Sequence, residues 1–113
     1  MIIKYKGDLC PINQKYLSRR FVLSKRYREC KESIAWSIKK GAQGNLERLT
    51  GNVSIKLITF YPRQHDVDCF IKVILDSMNG LVFDDDKQVV KIEVVKRKSK
   101  CIGFVAKLSA DRG

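Results

Sequence analysis

Asp66 and Asp68, two residues apart, are followed by Lys72 and then by the run Asp84-Asp85-Asp86, and no other side chains in this sequence are so well suited to chemistry. Aspartates gathered by a fold can grip a hard divalent cation. Magnesium keeps several of its waters and asks for only a few carboxylate oxygens. Asp66 and Asp68 supply two, and the 84–86 run offers a third. Beside such an ion, the Lys72 ammonium can stabilise charge developing on a phosphodiester or orient an attacking water. His65, next to Asp66, is a further candidate base or phosphate contact.

Each of these residues also has a plainer role. Asp66 can cap a helix, the Asp84 to Asp86 run can be a solvated turn, and Lys72 can pair with Asp76 across one helical turn for about 0.3–0.5 kcal/mol. Charge distribution favours the metal. The chain has 113 residues, 23 Lys+Arg against 12 Asp+Glu, and a formal net charge of +11, which suits a polyanionic partner, nucleic acid first. Yet half of the acids fall between residues 66 and 86. Aspartates at a phosphate-binding surface repel the ligand unless a cation lies between them.

The elements that must position these residues are legible from hydrophobic period. Ile2 to Lys6 alternates as a short strand, and Asp8 to Arg20 reads as a loop or basic hairpin. With Ser24 as N-cap, Tyr27, Cys30, Ile34 and Ile38 share one face of a helix near 24–40, which Gly41 stops. Val53, Ile55, Leu57 and Thr59 alternate in a strand ended by Pro62. From Asp68 a second helix sets Ile71, Ile74, Leu75 and Met78 on one face and Asp68, Lys72 and Asp76 on another, and Asn79-Gly80 closes it. Val90 to Val94 and Ile102 to Leu108 read as an antiparallel hairpin around the basic turn Lys96 to Lys100.

The fold expected is therefore α+β: a single domain over 1–113, with two helices packed on a small mixed, mostly antiparallel sheet. No apolar run is long enough to cross a bilayer, and the charged start is unlike a signal peptide, so a cytoplasmic protein is expected. Cys10, Cys30, Cys69 and Cys101 form no Cys-x-x-Cys pair and read as buried free thiols. Lys15, Arg19 and Arg20, with Lys96, Arg97 and Lys98, are candidate phosphate contacts.

Three stretches together, Asp66-Val67-Asp68-Cys69-Phe70-Ile71-Lys72, Asp76-Ser77-Met78-Asn79-Gly80 and Phe83-Asp84-Asp85-Asp86-Lys87-Gln88-Val89, resemble the RusA family of Holliday junction resolvases. Pro11-Ile12-Asn13-Gln14-Lys15-Tyr16 resembles that family's N-terminal segment. The resemblance implies a homodimer that binds four-way DNA junctions and nicks strands of like polarity in pairs. It implies magnesium, for which manganese can substitute, held by Asp66, Asp68 and Asp86, with Lys72 essential. Cys69 departs from the pattern, standing where the family has asparagine. Two other readings are a non-catalytic nucleic-acid binder of the same fold and a nuclease for flaps or other branched DNA.

Overall fold

The computed structural model describes residues 1–11, 16–17, 22–42 and 48–111. In chain order the elements are β1 (Ile2–Lys6), β2 (Tyr16–Leu17), β3 (Val22–Leu23), α1 (Lys25–Ala42), β4 (Val53–Tyr61), α2 (Ile71–Met78), a 3-10 turn (Asp86–Gln88), β5 (Val89–Lys98) and β6 (Gly103–Ala110). Two helices pack on a four-stranded mixed sheet of order β1-β6-β4-β5, the α+β architecture that the hydrophobic periods imply. β2 and β3 form a separate short antiparallel pair.

β4 is the axis of the sheet. Its Val53, Ile55, Leu57 and Thr59 are buried on one face, in step with Leu108, Ala106 and Phe104 of β6 and with Ile92 and Val94 of β5. α1 lays Tyr27, Cys30, Ile34 and Ile38 against that layer, the stripe its spacing dictates. The Ser24 hydroxyl accepts from the Tyr27 amide at 3.1 Å and caps the helix. Gly41 does not stop it, because the helix runs on to Ala42. Arg26 fixes the same end to the chain leaving β1, with two bonds of 3.0 and 2.8 Å to the Asp8 carboxylate.

The expected hairpin is not formed. β4 lies between β5 and β6, parallel to β5 and antiparallel to β6. The parallel pairing requires a crossover, which α2 supplies by running back over the buried face between β4 and β5. Residues 99–102 then carry the chain around the end of β4, held by the Ser99 amide on the Tyr61 carbonyl at 3.1 Å. Lys96, Arg97 and Lys98 consequently belong to β5 and not to a turn.

α2 is buried through Val73, Ile74, Ser77 and Met78, with Ile71 and Leu75 only half-buried, so its inner face is rotated from the one the spacing suggests. It packs against α1 as well as the sheet, and the Ser77 hydroxyl turns inward onto the Val73 carbonyl at 2.6 Å. Gly80, at φ 78°, takes the left-handed conformation that reverses the chain after the helix. The thiols divide: Cys10 and Cys30 are buried as expected, Cys69 is intermediate, and Cys101 is exposed in the 99–102 link outside the core. Burial pushes the Cys30 thiol up to about 11.

Gly103 opens β6 where β1 crosses closest. A Cβ there would fall within contact distance of the Tyr5 carbonyl oxygen and the Lys6 Cα, which are backbone atoms that cannot swing away. Gly103→Ala is expected to cost about 1–3 kcal/mol by forcing the strands apart, read as a lower midpoint in urea unfolding at unchanged slope.

Candidate active site

The loop between β4 and α2 is pinned before it reaches the aspartates. His65 sits with one ring nitrogen 3.4 Å from the Thr59 hydroxyl and the other 3.1 Å from the Arg63 carbonyl, its ring against Tyr61 and Phe70. The Lys96 ammonium donates to the His65 carbonyl at 2.7 Å. Both residues thus hold the loop in place, and His65 is half-buried in that task.

Asp66 and Asp68 follow in two turns, their carbonyls accepting from the Cys69 and Ile71 amides at 3.2 Å each. Phe70 occupies the N-cap of α2 and no side chain caps the helix, so neither aspartate serves as its cap. Both carboxylates are exposed and act on Cys69, whose thiol is pushed up by burial first and then by Asp66 and Asp68.

A second group forms one turn into α2. Lys72 Nζ lies 3.2 Å from Asp76 Oδ1 and 3.8 Å from Asp86 Oδ2. The Asp76 side chain is only 14% exposed, and its other oxygen accepts from the Tyr27 hydroxyl of α1. The pair with Asp76 expected from helix spacing is therefore real, and the same ammonium also reaches Asp86. Such an arrangement satisfies a largely buried carboxylate, which unpaired would be costly.

The three acids of the 84–86 run have separate surroundings. Asp84 pairs with Arg48 at 2.8 Å. Asp85 caps the 3-10 turn, accepting from the Lys87 amide at 3.0 Å, a bond that lowers its carboxyl below the usual range. Asp86 alone faces Lys72. Gln88 sets this division: its carbonyl oxygen accepts from the Asp84 and Asp85 amides at 2.9 and 3.2 Å, while its NH2 donates to the Leu49 and Gly51 carbonyls at 3.0 and 2.9 Å. One amide, with every hydrogen it can donate engaged, ties the acidic loop to the chain entering β4.

Lys72 and Asp86 are thus brought together, while Asp66 and Asp68 sit in the preceding loop around Cys69. Among the described residues no three His, Cys, Asp or Glu side chains stand close enough to hold a metal ion. In type the donors suit a hard cation, being carboxylate oxygens. Of the candidate phosphate contacts, Lys96, Arg97 and Lys98 are exposed along β5, and Lys15, Arg19 and Arg20 lie outside the described residues. Sequence reasoning gave no site role to Tyr27, Arg48 or Gln88. Tyr27 carried only a core signal, and the amide of Gln88 carried none outside the motif.

A strongly basic chain that gathers acids around a lysine suits a polyanionic partner such as DNA. The family model for Endodeoxyribonuclease RusA matches residues 10–105, spanning every residue of the site, and the chain belongs to that family. No curated protein matches it. Membership makes the chain an endodeoxyribonuclease of a Holliday junction-resolving family. No helix among the described residues is long and apolar enough to cross a membrane.

Removing the Gln88 amide is expected to loosen the loop that carries Asp86. Gln88→Ala should lose about 1–3 kcal/mol of stability, from two donated and two accepted bonds, seen as a lower thermal midpoint. Hydrogen exchange at the amides of Asp84 and Asp85 should rise with it, and protection equal to wild type would contradict the clamp.

Proposed function

We propose that this chain cuts four-way DNA junctions by paired symmetric nicks, as a homodimer in the cytoplasm, during recombination and repair, with the whole of 1–113 acting as one catalytic domain. Asp66, Asp68 and Asp86 would hold a magnesium ion, or manganese in its place, and Lys72 would work beside it. One observation carries the reading: Lys72 Nζ reaches both Asp76 and Asp86, joining the helix and the acidic loop that lie on either side of the turn at Asn79-Gly80.

The roles follow from the surroundings of each side chain. Asp76, braced by Tyr27, restrains Lys72 so that its ammonium is aimed before DNA arrives. An ammonium so restrained stabilises negative charge on a phosphodiester without reorganising during the reaction. Asp66 and Asp68, exposed and not engaged in helix capping, are available to ligate. When bound, the divalent ion supplies Lewis acidity and positive charge against the phosphate oxygens. Lys96 and Lys98, with Lys15, Arg19 and Arg20, hold phosphates on either side of the cut, whereas Arg97 projects from the other face of β5. A two-fold dimer matches a junction whose resolution needs two equivalent nicks.

The deciding assay offers a synthetic four-way junction, a duplex and a flap, with and without magnesium, each strand labelled separately. Symmetric nicks on the junction alone are expected. Asp68→Asn should abolish cutting while leaving junction binding intact or tighter, since it removes a ligand and a repulsive charge together. Lys72→Ala should slow cutting by about 10²–10³-fold. Unchanged cleavage by either purified variant defeats the assignment. Cutting of flaps as readily as junctions would make the chain a general branched-DNA nuclease, and binding without nicks a catalytically silent one.

A further inference from the structure

The face of the sheet turned away from the helices has no element packed on it among the described residues, and its register is unusual. Lys4 and Lys6 of β1, Lys107 of β6, Lys56 of β4 and Lys91 and Arg97 of β5 all point to it, and Glu93 is the only acid of those strands there. Lys56 and Lys107 stand directly opposite each other in the ladder. Like charges directly opposite destabilise a sheet; Glu93, opposite Lys56 in β5, offsets that pair in part but is itself bonded to Lys91 at 3.2 Å, and Lys107 faces only Ile2 and Lys56 in the ladder.

The same face carries a pocket of ≈ 360 Å³, within the range of small-ligand sites, about 300–1,000 Å³. Among the residues that line it are Gly103, the half-buried Phe60 beside it in the ladder, Lys4 and Lys6. An aromatic ring beside two lysines is the chemistry that holds an unpaired nucleotide: base on the ring, phosphate on the ammonium groups.

The geometry points to this open face as a second DNA site, which takes an unpaired DNA strand by stacking one base on Phe60 over Gly103 and holding its phosphates with Lys4, Lys6, Lys56 and Lys107. This goes beyond junction cutting and involves none of Asp66, Asp68, Lys72 or Asp86. A second copy of the chain fits the face poorly, because a two-fold contact would set its cations against their own images. Val105, Ile58 and Val95 form an apolar row across the middle, on which further bases can rest.

The test is binding of a fluorescent oligo-dT strand to the full chain in EDTA, followed by anisotropy across a salt series. Lys4→Ala/Lys107→Ala should lower the log–log salt slope by about 1.4. Phe60→Leu should weaken binding about tenfold at fixed salt, the order expected for one lost stacked base. Should Phe60→Leu fail to fold, titration of the wild type with the oligomer carries that arm, with the largest amide shifts expected at Phe60 and Gly103. Affinity and slope equal to wild type, or shifts confined to other surfaces, would overturn the proposal. So would a change of oligomeric state in Lys4→Ala/Lys107→Ala, which would make the face a contact between copies. Junction nicking is scored separately on the wild type: its absence with oligo-dT still on Phe60 would sink the function proposed above and leave this site standing.

Discussion

The ammonium of Lys72, held between Asp76 and Asp86, is the contact on which the arrangement of the site depends. It joins the first turns of α2 to the entrance of β5, and through Asp76 and Tyr27 it extends to α1. In a chain of net charge +11 this neutralises acids where they stand. Isolated surface ion pairs contribute little. This one differs because Asp76 is mostly buried and is also bonded to Tyr27, so losing the lysine would leave a carboxylate charge in poor solvent. The contact exists because α2 is the crossover of a parallel strand pair. An antiparallel hairpin would have needed only a tight turn, with no helix to carry Lys72 past the start of β5.

Around that contact, the acidic run shows how one short stretch can hold several functions apart. Three consecutive aspartates would repel one another if they shared a direction. The 3-10 turn rotates them, so that Asp84 meets Arg48, Asp85 satisfies a backbone amide and Asp86 turns to Lys72. Gln88 makes the rotation stable by bonding both the run itself and the segment before β4. A glutamine serves because an amide both donates and accepts, whereas a carboxylate in its place would meet the Leu49 and Gly51 carbonyls with no hydrogen to give.

Much of this was legible in the chain, and the limits have physical causes. The stripe of Tyr27, Cys30, Ile34 and Ile38 and the alternation from Val53 to Thr59 each follow from a single period, and both were buried as written. Pairing was not legible: Ile92 and Val94, like Phe104 and Leu108, alternate identically whether their strands pair with each other or flank a third. The inner face of α2 was misjudged because a helix packed on both a sheet and another helix buries more than one stripe. The meeting of Lys72 with Asp86, 14 residues apart, rests on the motif and on the chain reversing after the helix at Gly80. Tyr27 could not be found, because its ring reads as core and only its hydroxyl belongs to the site.

Charge is also sorted by face, and this reconciles a basic chain with an acidic centre. The acids between residues 66 and 86 lie around α2 and the turn that follows it, and several are matched by cations within 4 Å. Most β-strand cations lie on the opposite face of the sheet, in open solvent. At physiological salt the Debye length is about 8 Å, so the mutual repulsion of those exposed lysines is largely screened beyond near neighbours and the fold tolerates them. A nucleic acid arriving along its length meets the unscreened short-range part of the same field, where displaced counterions favour binding. The separation therefore lets attraction to the polyanion and concentration of carboxylates coexist in 113 residues, because the sheet keeps one from cancelling the other.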